Sequence, residues 1–178
     1  MNNRNVQLRE GRYTWRHDNV LKVIHTAVNN TKDSPTNQSR PRIFTDLSQP
    51  QNNHPCAPST IPPEVIPTTD RPDMVLYWPN DRKLVIFELT VPFDLNISKA
   101  HEYKCNKYAP LVRDISSRNF EVSLIAFEVG SRGFLTNDNF ASLKTITRIT
   151  NTKTTPKQLA KQICKMAVVS SFSLFHKT

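Results

Sequence analysis

Eight consecutive residues restrict this chain more than any others: Leu84-Val85-Ile86-Phe87-Glu88-Leu89-Thr90-Val91. β-Branched and aromatic side chains dominate the run, which lacks the strict polar alternation of a half-exposed strand. It predicts a strand buried on both faces except at Glu88 and Thr90. Such a strand needs a layer above it and another below. The predicted fold is therefore an α/β (α+β) domain with a small mixed central sheet flanked by helices. The run also contains an anomaly, because a carboxylate inside an apolar strand is costly unless it is paired or holds a cation.

The neighbouring residues build outward from this strand. Met74-Val75-Leu76-Tyr77-Trp78 predicts a strand over Arg71 to Trp78, and Pro79-Asn80-Asp81 supplies turn chemistry. The resulting hairpin puts Asp73 on one strand and Glu88 on the next, and Pro92 ends the second. A helix is predicted from about Asn96 to Tyr108, capped by Asp94 or Asn96, with Pro110 forcing a kink or restart. Ile97, His101, Lys104, Tyr108 and Leu111 recur at helical spacing, and their shared face should look at the sheet. Phe120 to Val129 predicts a third strand, followed by Gly130-Ser131-Arg132-Gly133. This tetrapeptide holds two of the chain's three glycines, a sign of positive φ or close backbone approach.

Flanking segments complete one predicted domain. Residues 1–30 form a basic helix, frayed over the first ten residues, with Val20, Leu21, Ile24 and Val28 on one apolar face. Residues 31–70 are rich in Pro and Asn and read as a loop or insertion, with Ile43, Phe44 and Leu47 able to add a short edge strand. Residues 71–135 form the core. Residues 136–178 hold two basic helices, one around Phe140, Leu143 and Ile146, the other from about Thr155 to Ser170 with Pro156 in its first turn.

Charge narrows the partner class. The net charge is +9, and no acidic residue follows Asp138, whereas Lys144, Arg148, Lys153, Lys157, Lys161, Lys165 and Lys177 do. Such a balance favours an acidic partner, nucleic acid being the commonest. Cys56, Cys105 and Cys164 form neither a CxxC nor a zinc pattern, and an odd count suits a reducing compartment. The N-terminus lacks a signal-peptide core, and the apolar run Met166 to Phe175 is too short to span a bilayer, so an intracellular chain without membrane insertion is expected.

The chemistry of the central stretch follows from its charges. Two carboxylates brought close repel each other, and a divalent metal removes that penalty. Oxygen-rich ligation by Asp73 and Glu88 points to magnesium or manganese. Lys104 on the inward helix stripe is placed to hold an attacking water or neutralise charge on a phosphate. Singly, each residue has a plainer reading. Asp73 can be a strand-entry turn residue, Glu88 can be edge-exposed or pair with Lys83 or Arg82, and Lys104 can reach out to solvent. His17 and His101 are candidate phosphate contacts or proton carriers, or hydrogen-bonded structural histidines. Arg132 is a candidate contact to a DNA backbone, or a solvated loop residue.

Pro72-Asp73 followed by Glu88-Leu89-Thr90 in an apolar strand resembles the PD-(D/E)XK nuclease superfamily, with Thr90 where that pattern has Lys. Ala100-His101-Glu102-Tyr103-Lys104-Cys105-Asn106-Lys107-Tyr108 resembles an element of the restriction-like endonuclease domain of non-LTR retrotransposon reverse transcriptase proteins. Arg16-His17-Asp18 is similar to the opening of that domain, and Val129 to Phe134 to a Gly-rich turn of related retroelement proteins. The resemblance implies a restriction-endonuclease-like core and a DNA-nicking activity. Asp73, Glu88 and Lys104 would be catalytic, Asp73 and Glu88 would hold Mg²⁺ or Mn²⁺, and His101, Lys107 and Tyr108 would support them. Arg16, His17 and Arg132 are the candidate DNA contacts. It further implies a nuclear location and a reverse transcriptase as partner in the parent element. The reverse transcriptase domain and zinc knuckle are absent, so the chain is expected to be a fragment, a degenerate copy or a domesticated gene. The competing expectation is a catalytically inactive nucleic-acid-binding remnant of the same domain, and a weaker one is a protein-interaction domain.

Overall fold

A four-stranded mixed sheet in the order β1-β2-β3-β4 carries the structure, a computed structural model that describes residues 3–32, 40–47 and 59–175, with side chains described from 14 to 173. The elements in chain order are α1 (Asn3–Asn29), β1 (Arg42–Thr45), β2 (Met74–Trp78), β3 (Lys83–Thr90), α2 (Ile97–Ser117), β4 (Glu121–Glu128), α3 (Asn137–Ile149) and α4 (Pro156–Phe175). β1 pairs antiparallel with β2, and β2 antiparallel with β3. β3 pairs parallel with β4, which requires a crossover, supplied by α2. This is the expected mixed sheet with helices on both faces.

Alternation along β3 divides the core in two. Val85, Phe87 and Leu89 join Val20, Leu21, Ile24, Val28, Leu143, Leu159 and Ile163 from α1, α3 and α4. Leu84 and Ile86 join Tyr108, Leu111 and Ile115 of α2 on the other side. Strand period two against helical period 3.6 thus explains why β3 is apolar on both faces. The apolar stripe of α1 is buried as its spacing predicts.

Three local expectations are corrected and a fourth is refined. Helix α1 begins at Asn3, within the ten residues expected to be frayed; Arg4, Gln7, Leu8, Arg9 and Glu10 are good helix formers that continue the helix toward the N-terminus. Helix α2 runs unbroken through Pro110 to Ser117. Asn106 and Pro110 both stand on its exposed side, where water can satisfy the carbonyl left without its N–H partner, while Tyr108, Leu111 and Ile115 hold the buried stripe. Neither Asp94 nor Asn96 caps α2 through its side chain; Asp94–Asn96 form a 3-10 turn instead. Finally, residues 59–70 form the expected loop, without helix or strand, but one that buries apolar side chains. Ile61, Val65 and Ile66 are buried against Val75, Ile86 and Tyr108, and the Thr60 hydroxyl donates to the Pro72 carbonyl at 2.7 Å. Sparse apolar residues sufficed because they cover only the gap beside α2. The remaining Pro-rich residues, Cys56 and Lys177 lie outside the described residues.

Phe87 joins the sheet to its helical layer, fully buried and stacked on Phe127 with ring centres 5.6 Å apart. Phe87→Ala should lower unfolding free energy by about 3–5 kcal/mol. A urea titration followed by circular dichroism reads that loss.

Candidate active site

The register of the hairpin creates the site. Met74 pairs with Phe87, so Asp73, one residue earlier, comes opposite Glu88. Each carboxylate accepts from the other strand: Asp73 N–H donates to Glu88 Oε2 at 3.1 Å, and Leu89 N–H to Asp73 Oδ2 at 2.6 Å. The Asp73 carbonyl accepts from Asp46 N–H at 2.9 Å, which ties the end of β1 to the same point. The site therefore lies at the carboxyl ends of parallel strands β3 and β4, where open α/β sheets bind ligands.

Cations reach it from both faces. Lys104 Nζ, from α2, forms an ion pair with Glu88 Oε1. His17 Nε2, from α1, lies 3.1 Å from Asp73 Oδ2, and its Nδ1 lies 3.1 Å from Asp18 Oδ1. Glu88 is 2% exposed; burial and then the charge of Asp73 push its pKa up, with Lys104 opposing. Burial alone would lower the His17 pKa. The hydrogen bonds and charges of Asp18 and Asp73 outweigh it and raise it from 6.5 to about 10. Burial and the charge of Glu88 push the Tyr108 phenol up as well. Asp46 is pushed up by burial, against its ion pair with Arg71.

The predicted residues separate into groups. Asp73, Glu88, Lys104, His17 and Tyr108 come together. Lys107 supports Tyr108, donating to its hydroxyl at 3.2 Å with the ammonium 4.6 Å from the ring centre. His101 goes elsewhere, its Nδ1 3.1 Å from Glu128 Oε2 at the end of β4. Arg16 is 9% exposed; its Nη2 donates to the Val91 carbonyl at 2.7 Å and its Nη1 to Ser171 Oγ at 3.4 Å, so it ties α1 to β3 and α4. Arg132 lines the same cleft as Asp73 and Lys104, a space of about 880 Å³, and its Nε donates to Asp94 Oδ2 at 2.8 Å. The pairing of Glu88 with Lys83 is corrected: Lys83 pairs with Glu121 at 2.6 Å, at the far end of β3.

Two acids went unread, Asp46 and Glu128, while Asp18 stood out only inside the Arg16-His17-Asp18 resemblance. Asp46 gives no signal, because only tertiary packing brings it to Asp73. Glu128 did have one: like Glu88 it follows an apolar run, Leu124 to Phe127. It is 1% exposed, and Asn139 Nδ2 donates to its carbonyl at 2.9 Å and to its Oε2 at 3.2 Å.

The donor set fits a hard divalent cation. Asp73 and Glu88 offer carboxylate oxygens, and a cation would relieve the repulsion that raises Glu88. Thr90, which register and alternation put on the Glu88 face of β3, has a buried hydroxyl with no hydrogen-bond partner. Among the described residues no group of three or more His, Cys, Asp and Glu side chains could hold a metal, so water and substrate oxygens would complete the shell. No helix among these residues is long and apolar enough to cross a membrane. No family model matches the chain, and no curated protein matches it.

The His17 pair has a pH signature. Its folded pKa exceeds the unfolded value, so the stabilisation is complete below about pH 6.5 and is lost as pH rises through about 10. In chelated buffer the gap in urea midpoint between wild type and His17→Gln should be widest at about pH 6.5 and narrow toward about pH 10. Parallel titrations across that range read it.

Proposed function

We propose that the chain is a metal-dependent DNA endonuclease domain that nicks phosphodiester bonds, of the restriction-like kind associated with non-LTR retrotransposon reverse transcriptases. One observation carries this reading: Asp73 and Glu88 face each other at adjoining strand ends while Lys104 reaches Glu88 from the crossover helix. A half-buried Asp73 and an inward Lys104 lining a cleft with Arg132, backed by the buried Glu88, suit an anionic substrate whose charge increases during reaction. The basic C-terminal helices and the net charge of +9 support a nucleic acid over a small phosphoester.

Asp73 and Glu88 are the residues that would hold Mg²⁺ or Mn²⁺. Such an ion, when bound, lowers the pKa of its water and draws charge from a phosphate oxygen. The chain's own contributions are distinct. Lys104, held by Glu88, brings an ammonium to the place where negative charge grows. Tyr108, its phenol kept protonated by burial and by Glu88, remains a hydrogen-bond donor at neutral pH. His17 keeps a positive charge beside Asp73 and screens it from Asp18. A second reading, a binding domain without catalysis, draws on Thr90 at the strand position where the superfamily has Lys, and on both carboxylates already having cationic partners.

Supercoiled plasmid incubated with the purified protein and Mg²⁺ or Mn²⁺ should be converted to open circles. Asp73→Ala, Glu88→Gln and Lys104→Ala should each slow nicking by about 100-fold or more. A wild type that binds plasmid but leaves it intact selects the binding-only reading. Nicking that survives Asp73→Ala rules out this site.

A further inference from the structure

Two segments beside the cleft are locked into one ledge. Residues 92–96 leave β3 and residues 130–134 leave β4. Ser131 N–H donates to the Pro92 carbonyl at 2.8 Å, and Gly130 N–H to the Phe134 carbonyl at 2.8 Å. Gly130 has no room for a Cβ, because the Asp94 carboxylate fills that space, and Gly133 takes a φ of 82° to close the turn. A backbone pinned this closely holds its side chains in fixed positions.

What the ledge displays is unusual for a protein surface. Phe93 is 49% exposed, Phe134 54% and Leu95 85%. The Arg132 guanidinium lies 5.1 Å from the centre of the Phe93 ring, and both residues line the cleft that contains Asp73 and Lys104. Phe93 and Arg132 thus present an aromatic ring and a cation at the cleft, and Phe134 leaves the same pinned turn, its Cβ packed against Gly130. Duplex DNA would offer it mainly phosphates and leave the rings in water. An unstacked nucleobase offers a flat face to the rings and to the guanidinium, while its phosphate meets the cations of the cleft.

We infer that Phe93, Arg132 and Phe134 form a stacking ledge for unpaired bases next to the scissile phosphate, so that the preferred substrate is DNA opened locally at the cut site. This rests on the nuclease reading for its cleavage site and on the ledge alone for its base preference.

The test compares binding, by fluorescence anisotropy with metal chelated, of a duplex and of the same duplex carrying a central unpaired bubble. The wild type should bind the bubble about tenfold tighter. Phe93→Ala/Phe134→Ala should lose that preference and keep duplex affinity. Phe93→Leu/Phe134→Leu, which preserves apolar bulk and guards against misfolding, should lose it too. Equal wild-type affinities for the two DNAs overturn the ledge. So does a preference that survives the leucine pair, which would place the reading of unpaired bases elsewhere on the protein. Bubble preference with no nicking of any substrate sinks the nuclease reading while the ledge stands.

Discussion

Glu88 stands in a strand covered on both faces, where an unpaired carboxylate would cost several kcal/mol. Much of the architecture answers to that one charge. The register of β2 against β3 delivers the Asp73 N–H to Glu88 Oε2, and the crossover helix delivers Lys104 to Oε1. Register depends on the hairpin turn and on the apolar alternation that assigns Val85 and Phe87 to one core, Leu84 and Ile86 to the other. A slip by one residue would turn Glu88 toward the layer built from α1, α3 and α4, away from Lys104.

The same constraint explains where the site lies. Lys104 and His17 belong to helices on opposite faces of the sheet. Only at the ends of the strands can side chains from both layers meet without passing through the sheet. There Asp73 lines the cleft, Glu88 lies buried just behind it, and both carboxylates accept from backbone N–H groups. Buried acids with nearby cations are ordinary in structural ion networks as well as in active sites. The cleft, the unpartnered Thr90 hydroxyl and the net positive charge are what favour the proposed phosphate chemistry over a purely structural network.

Legibility varied with the range of the interaction. The strand runs, the α1 stripe, the edge strand at Ile43 and Phe44 and the carboxylate pair could be read because each follows from local period or from one hairpin. Lys104 could be read because helical phasing put it with Tyr108 and Leu111. His101 shared that stripe and yet reaches Glu128, since the stripe spans two strands and phasing does not say which strand lies beneath each residue. Pro110 misled because a rule about helix interiors applies with less force on an exposed side. Ile61, Val65 and Ile66 were missed because their burial depends on a gap that α2 leaves over β2 and β3.

By itself, the sequence determined that β3 must be buried on both faces, that Asp73 and Glu88 share a hairpin, and that Lys104 lies on the inward side of the next helix. These follow from periods of two and 3.6 and from turn chemistry, which act over a few residues. Tertiary structure alone decided that His17 and Asp18 join Asp73, that Arg16 becomes a tie between α1, β3 and α4, and that Phe93 and Phe134 are displayed on one ledge. Those contacts join residues far apart in the chain, and only closure of the sheet and packing of its helices bring them within reach.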